Sequence, residues 1–320
     1  MLLNAILPPV YVEEVSEKLT HFAAHKDDYD TLFIGSSRTY RQLLPSLFDR
    51  LMAAGGQPTR TFNAGVDGMF APEDGYFVEK LFALRPQNLR RVFIEVSRFN
   101  SDFAYQPAEA IRCRYWHDRE RLVLLLKDAL PWKQREKWRD PRRWTSAWEH
   151  TQVFLVRGMN LGRGADCVKS WGFPPPPPPP GPPLLGPFND GANAYLNEAE
   201  LGGDERARFD ADMKERLAGK TQLRALVPSS LENLRHMLAL VRAAGIEPVL
   251  FNTPTSLTRK NDASQQVRET ILDFNLPERW PAFFDPANRN DRAHLNAPGA
   301  RLFTQAFAEE VLKLPAPAPR

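Results

Sequence analysis

Between residues 31 and 96, short apolar runs alternate with segments of helical spacing, and this alternation restricts the fold more than any other feature of the chain. Strands separated by helical crossovers pair in parallel, and a parallel sheet needs apolar cover on both faces. Thr31-Leu-Phe-Ile-Gly35 reads as a buried strand entering a turn, followed by a helix from Tyr40 to Met52 with Leu43, Leu44, Leu47 and Leu51 at helical spacing. Arg60-Thr-Phe-Asn63 is a second short strand, running into the glycine turn Gly65 to Gly68. Asp74 to Leu84 is helical, with Phe77, Leu81 and Leu84 on one face and Pro86 closing it, and Arg91-Val-Phe-Ile-Glu-Val96 is the third strand.

From about 99 to 221 the alternation stops, and basic, aromatic and proline-rich stretches read as an insertion. The rhythm resumes with a helix from Ser229 to Ala244, ended by Gly245, and a strand from Pro248 to Phe251. A last helix spans Ala297 to Leu314, with Asn296 as N-cap, Pro298 in the first turn and a buried stripe of Phe303, Phe307, Val311 and Leu314. The expected organisation is a lead-in over 1–29 and a single α/β domain over 30–320 carrying the insertion 99–221. The tract 174–187 holds ten of the 29 prolines and is expected to be stiff and extended, as a surface loop or as a docking ligand for a partner's aromatic groove.

At 320 residues the chain can bury a full core without staples, and 42% hydrophobic with 25% charged residues excludes a disordered polymer. A net charge of +3 is too small a footprint for nucleic acid. Cys113 and Cys167 lack C-x-x-C spacing, which argues against a structural zinc site; a single bridge between them stays open, and no metal or cofactor is expected. No stretch approaches the roughly 20 apolar residues of a membrane span. Residues 1–12 are apolar but broken by Pro8 and Pro9, a poor signal peptide and at most the stub of an anchor.

Two segments carry chemistry. In Phe33-Ile-Gly-Ser-Ser-Arg-Thr39 a buried strand ends in Gly-Ser-Ser just before a helix, which exposes a serine hydroxyl at the carboxyl edge of the sheet beside backbone N–H groups able to support an oxyanion. The same turn also suits plain N-capping. In Asn290-Asp-Arg-Ala-His-Leu-Asn296, Asp291 and His294 can project to one side, the carboxylate holding the imidazole tautomer while the imidazole takes a serine proton. The order Ser, Asp, His lacks the G-x-S-x-G elbow of the common α/β-hydrolases.

These residues resemble the SGNH hydrolases, also called GDSL esterases and lipases. Gly35-Ser36-Ser37 stands where that family has Gly-Asp-Ser, which implies Ser37 as nucleophile. Asn63-Ala-Gly-Val-Asp-Gly68 is similar to the second block, whose glycine donates an oxyanion-hole N–H, here Gly68. Asp291-Arg-Ala-His294 matches Asp-x-x-His. The third block departs: the usual Gly-x-Asn-Asp is replaced by Ser97-Arg-Phe-Asn100, leaving Asn100 as the oxyanion donor or Arg98 as its cationic substitute. The resemblance covers about 30–100 and 225–315. It implies a three-layer α/β/α sandwich with a flavodoxin-like, mostly parallel sheet, and a serine-dependent ester hydrolase working through an acyl-enzyme. Members with large additions work beside membrane-bound O-acyltransferases, so transfer of an acyl group to a cell-envelope polysaccharide is the alternative, and an inactive scaffold binding a polymer or partner is the other.

Arg38, Arg98 and His117 are candidates for the substrate pocket, His117 for its adjacent Asp118 and aromatic neighbours, although it also reads as a hydrogen-bonded loop histidine. His236 reads as partly buried structure, and His21, His25 and His150 show no partner in sequence. Four of the seven tryptophans lie between 132 and 148 among arginines and lysines, a pattern that suits either an anionic surface or a solvated helix tucking its indoles beneath the domain.

Overall fold

The computed structural model describes residues 12–96, 111–131, 135–158 and 201–317. In chain order these form α1 (Glu13–His25), β1 (Thr31–Ile34), α2 (Ser37–Gln42), α3 (Pro45–Ala54), β2 (Thr61–Asn63), α4 (Glu73–Ala83), β3 (Arg91–Glu95), α5 (Ile111–Trp116), α6 (Arg119–Ala129) and α7 (Pro141–Gly158). They continue with α8 (Gly203–Leu217), β4 (Gln222–Ala225), α9 (Pro228–Ala243), β5 (Glu247–Asn252), β6 (Arg259–Asp262), β7 (Ile271–Asp273) and α10 (Ala297–Leu312).

Five strands pair in parallel in the order β2-β1-β3-β5-β7, and β4 and β6 form a separate two-stranded parallel pair. Side chains alternate across the main sheet as strand geometry requires. Leu32, Ile34, Val92, Ile94 and Leu250 enter one core with residues of α1, α4, α5, α6 and α9. Phe33, Phe93, Val249 and Phe251 enter the other with residues of α3, α8 and α10. The sheet therefore lies between two helical layers, and its strand order reverses at β1, where β2 branches to one side and β3 to the other. Clefts of doubly wound sheets open at such a point, at the carboxyl ends of the strands.

The second core is aromatic. Phe307 of α10 meets Phe33 at 5.5 Å, Phe93 at 5.1 Å and Phe251 at 5.2 Å between ring centroids, each edge to face. That geometry sets the positive ring edge against the negative face and adds about 0.5–1.5 kcal/mol per pair beyond area burial.

Two local expectations change. The single helix from Tyr40 to Met52 is two, because Pro45 cannot continue a helix and holds Leu44 extended at φ −103° and ψ 99°. The broken turn is satisfied from elsewhere, the Leu44 N–H donating to Thr304 Oγ1 at 3.1 Å. His236 is exposed rather than partly buried, its Nε2 lying 2.7 Å from Glu79. The lead-in packs into the domain through α1: Val15 and Phe22 are fully buried and Lys18 donates to the Asn63 carbonyl at 3.0 Å. No described helix is long and apolar enough to cross a membrane. Cys167 and the proline tract 174–187 lie outside the described residues, as does the bridge to Cys113.

Candidate active site

β1 ends in a turn that only glycine can make. A Cβ on Gly35 would lie 2.1 Å from Thr39 Oγ1 and 2.6 Å from Glu95 Oε2, so the close approach of Glu95 dictates the residue. Ser36 then caps α2, its Oγ accepting from the Arg38 N–H at 3.3 Å, and Ser37 opens the helix. Glu95, at the carboxyl end of β3 and 3% exposed, gathers this turn. Its Oε2 accepts from the Ser36 N–H at 2.8 Å, from Ser36 Oγ at 2.9 Å and from Thr39 Oγ1 at 2.8 Å, while Oε1 accepts from Thr253 Oγ1 at 3.3 Å.

The chain after β2 is fitted to the same turn. Asn63, fully buried, donates from Nδ2 to the Thr39 and Leu43 carbonyls at 3.0 and 2.9 Å, satisfying the carboxyl end of α2. Its Oδ1 accepts the Gly65 N–H at 2.9 Å, and the Val66 N–H donates to the Gly35 carbonyl at 3.0 Å. The Gly65 N–H is therefore already committed. Among the described residues, no internal acceptor takes the N–H of Ser37 or of Gly68. Gly68 sits at φ +63°, where a side chain would be strained. Its turn is held from three sides: Glu14 of α1 accepts the Asp67 N–H at 3.1 Å, Arg41 of α2 pairs with the Asp67 carboxylate, and Arg112 of α5 donates to the Asp67 carbonyl.

The third piece precedes α10. Arg289 and Leu295 form an antiparallel bridge, and the Asn290 and Asp291 N–H groups fold back on the His294 carbonyl. Arg289, 0% exposed, donates to the Asp291, Phe283 and Arg292 carbonyls at 3.0, 3.0 and 2.9 Å, filling the inside of the loop with one guanidinium. Burial lowers that guanidinium to about 9 against the pull of Asp291, so it remains a cation at neutral pH. From α8, Asp212 accepts from Arg292 Nε at 2.7 Å and pins the loop from outside. Asn296 caps α10 as expected, accepting the Gly299 N–H at 3.1 Å.

These pieces bring Ser37, His294 and Asp291 together. Ser37 Oγ lies 2.8 Å from His294 Nε2, and His294 Nδ1 lies 2.8 Å from Asp291 Oδ2. Asp291 Oδ1 also accepts the Ala293 and His294 N–H groups at 2.6 and 2.8 Å. Burial pushes the Asp291 carboxyl up, but the hydrogen bond and charge of His294 and the two backbone donors outweigh it and hold the group at about 2. The serine is 8% exposed, at the carboxyl edge of the sheet beside the reversal of strand order.

Arg38 is buried, and its charge bears on Arg289. His117 is buried between α5 and α7, with its Nε2 3.1 Å from His150 Nδ1. Arg98 and Asn100 lie outside the described residues. Sequence reading missed Glu95, Asn63 and Arg289. Each had a signal: an acid closing an apolar strand, an asparagine at a strand end, and an arginine two residues before the Asp-x-x-His motif. A cleft lined by Asp30, Thr31, Gln57 and Arg91 lies at the amino ends of the strands, opposite the serine.

Neither family models nor curated proteins match the chain.

Proposed function

We propose that this protein is an acyl-transfer enzyme with a serine nucleophile, hydrolysing an ester through a covalent acyl-enzyme. Within that class, its motifs and site fit a divergent SGNH hydrolase with a large insertion. The observation that carries the reading is the chain of contacts from Ser37 Oγ to His294 Nε2 at 2.8 Å and from His294 Nδ1 to Asp291 at 2.8 Å.

His294 takes the Ser37 proton as Oγ attacks the acyl carbonyl, and the N–H groups of Ser37 and Gly68 receive the oxyanion. His294 returns that proton to the leaving alcohol, and the acyl group stays on Ser37. Water then attacks the acyl-enzyme, giving its proton to His294, and the carboxylic acid departs as Ser37 recovers its own. Asp291, ionised down to about pH 2, keeps Nδ1 protonated and Nε2 free to accept.

A carbohydrate hydroxyl in place of water would make the same site an O-acyltransferase. One feature favours a polymeric acceptor: Trp144 and Trp148 of α7 are 48% and 61% exposed, with the Arg142 side chain 75% exposed beside them. The expectation that these indoles tuck beneath the domain does not hold for this pair.

Ser37→Ala is expected to cut turnover of a nitrophenyl acetate by at least about 10³-fold with an unchanged circular dichroism spectrum. Turnover equal to wild type would refute the assignment. Ser36→Ala, which removes a cap and a donor to Glu95 but no nucleophile, should retain measurable turnover.

A further inference from the structure

The insertion holds a second cluster of reactive side chains, on α5, α7 and the residue after α5. Cys113, His117 and His150 are 1%, 0% and 1% exposed. His117 Nε2 lies 3.1 Å from His150 Nδ1, and Cys113 Sγ lies 3.7 Å from the same nitrogen. One ligand-capable atom from each residue falls within 4.8 Å of the other two. Trp116 stacks on His117 at 5.3 Å with planes 8° apart, and Phe154 lies 6.4 Å from the same ring, so an apolar wall surrounds the cluster.

Hydrogen bonding among the three does not account for this convergence. A ring nitrogen has one in-plane lone pair or one hydrogen, so His150 Nδ1 cannot make good bonds to both His117 Nε2 and Cys113 Sγ. A cation at the centre takes a lone pair from all three at once. The spacing suits one: tetrahedral zinc, with about 2.0 Å to nitrogen and 2.3 Å to sulfur, holds two nitrogens roughly 3.3 Å apart and nitrogen from sulfur roughly 3.5 Å. One thiolate and two imidazoles are a borderline-soft set of the kind zinc accepts.

We propose that Cys113, His117 and His150 bind one zinc ion, with water as fourth ligand, pinning α7 to α5. On binding, the Cys113 thiol proton leaves to solvent as the sulfur–zinc bond forms, and no electron is transferred. The sequence hid the site because the first two ligands share a helical i,i+4 spacing while the third lies 33 residues further on another helix. The pin acts on the helix whose Arg112 holds the Asp67–Gly68 turn.

The test uses the full, untagged chain with Cys167→Ala, which leaves Cys113 as its only thiol. After chelation, this protein should take up one equivalent of Zn²⁺ and melt at a higher temperature. With Co²⁺ it should show a thiolate-to-cobalt charge-transfer band and the intense visible bands of tetrahedral cobalt. His150→Gln and His117→Gln should lose stoichiometric zinc while keeping their helical circular dichroism. The proposal fails if the Cys167→Ala protein binds less than one equivalent, or shows no thiolate–cobalt band. It also fails if both glutamine variants still bind one equivalent of zinc. If the variants do not fold, the cobalt band decides alone, since it requires no change in the cluster.

Discussion

Glu95 explains why residue 36 is a serine and not a second acid. Its carboxylate already occupies the floor of the turn, and an aspartate at 36 would set a second buried negative charge against it, whereas the Ser36 hydroxyl donates to it at 2.9 Å. Glu95→Ala leaves the Ser36 N–H, Ser36 Oγ and Thr39 Oγ1 without their acceptor and is expected to destabilise the fold by about 2 kcal/mol or more and to slow acylation of Ser37. Unchanged melting and acylation rate would show that the turn holds itself. A second buried acid makes a pH prediction. Burial raises Asp74 from 3.8 to about 6, against the Asn233 amide, the Gly75 N–H and the charge of Arg121. The folded state thus keeps a proton that the unfolded state has lost, so this group's contribution to stability is greatest below pH 4, falls between about pH 4 and 6, and is level above. Asp74→Asn can still accept from Asn233 and Gly75 and should remove that fall, gaining up to about 3 kcal/mol at pH 7. Urea titrations of both proteins at pH 4 and 7 measure it, and an equal pH slope in the two would sink it.

The elements show which parts of the sequence were self-sufficient. β1, β3 and α10 were legible because each carries its own pattern: continuous apolar runs for strands buried on both faces, and a capped 3.6-residue stripe for the helix. The break between α2 and α3 was signalled by Pro45, but the leucine spacing runs straight through it and hides the change of axis. β7 is only Ile271–Asp273, and pairing with β5 rather than local pattern makes it a strand. Phe307 tests the packing of α10 on the sheet, since it meets three strands from one helical position. Phe307→Ala is expected to cost about 3–5 kcal/mol, seen as a lower denaturant midpoint at unchanged m-value. A loss under 1 kcal/mol would mean that α10 is held by its neighbours instead.

Over the whole molecule, the Ser, Asp and His could be read because each lies in a short motif at a strand end or before a capped helix. What holds them could not. Glu95, Asn63 and Asp212 act across distances in sequence that spacing does not reveal, such as the 80 residues between Asp212 and Arg292, while Arg289 acts on carbonyls within six residues of itself only because the loop folds around it. The insertion was read as an addition to the domain, yet α5, α6 and α7 cover one face of the sheet, α8 covers the other, and both sides reach the site: Arg112 at the Gly68 turn and Asp212 at the histidine loop. A pattern search treats such a segment as separate because the contacts that join it to the sheet and the site are tertiary. By the proposed mechanism, these scattered supports make Ser37 an activated nucleophile. Labelling the purified protein with a fluorophosphonate and locating the modified peptide by mass spectrometry tests it most directly. Attachment at Ser37 in the wild type and its loss in His294→Ala is the predicted result; absence of label in the wild type, or labelling of Ser37 that survives in His294→Ala, would contradict it.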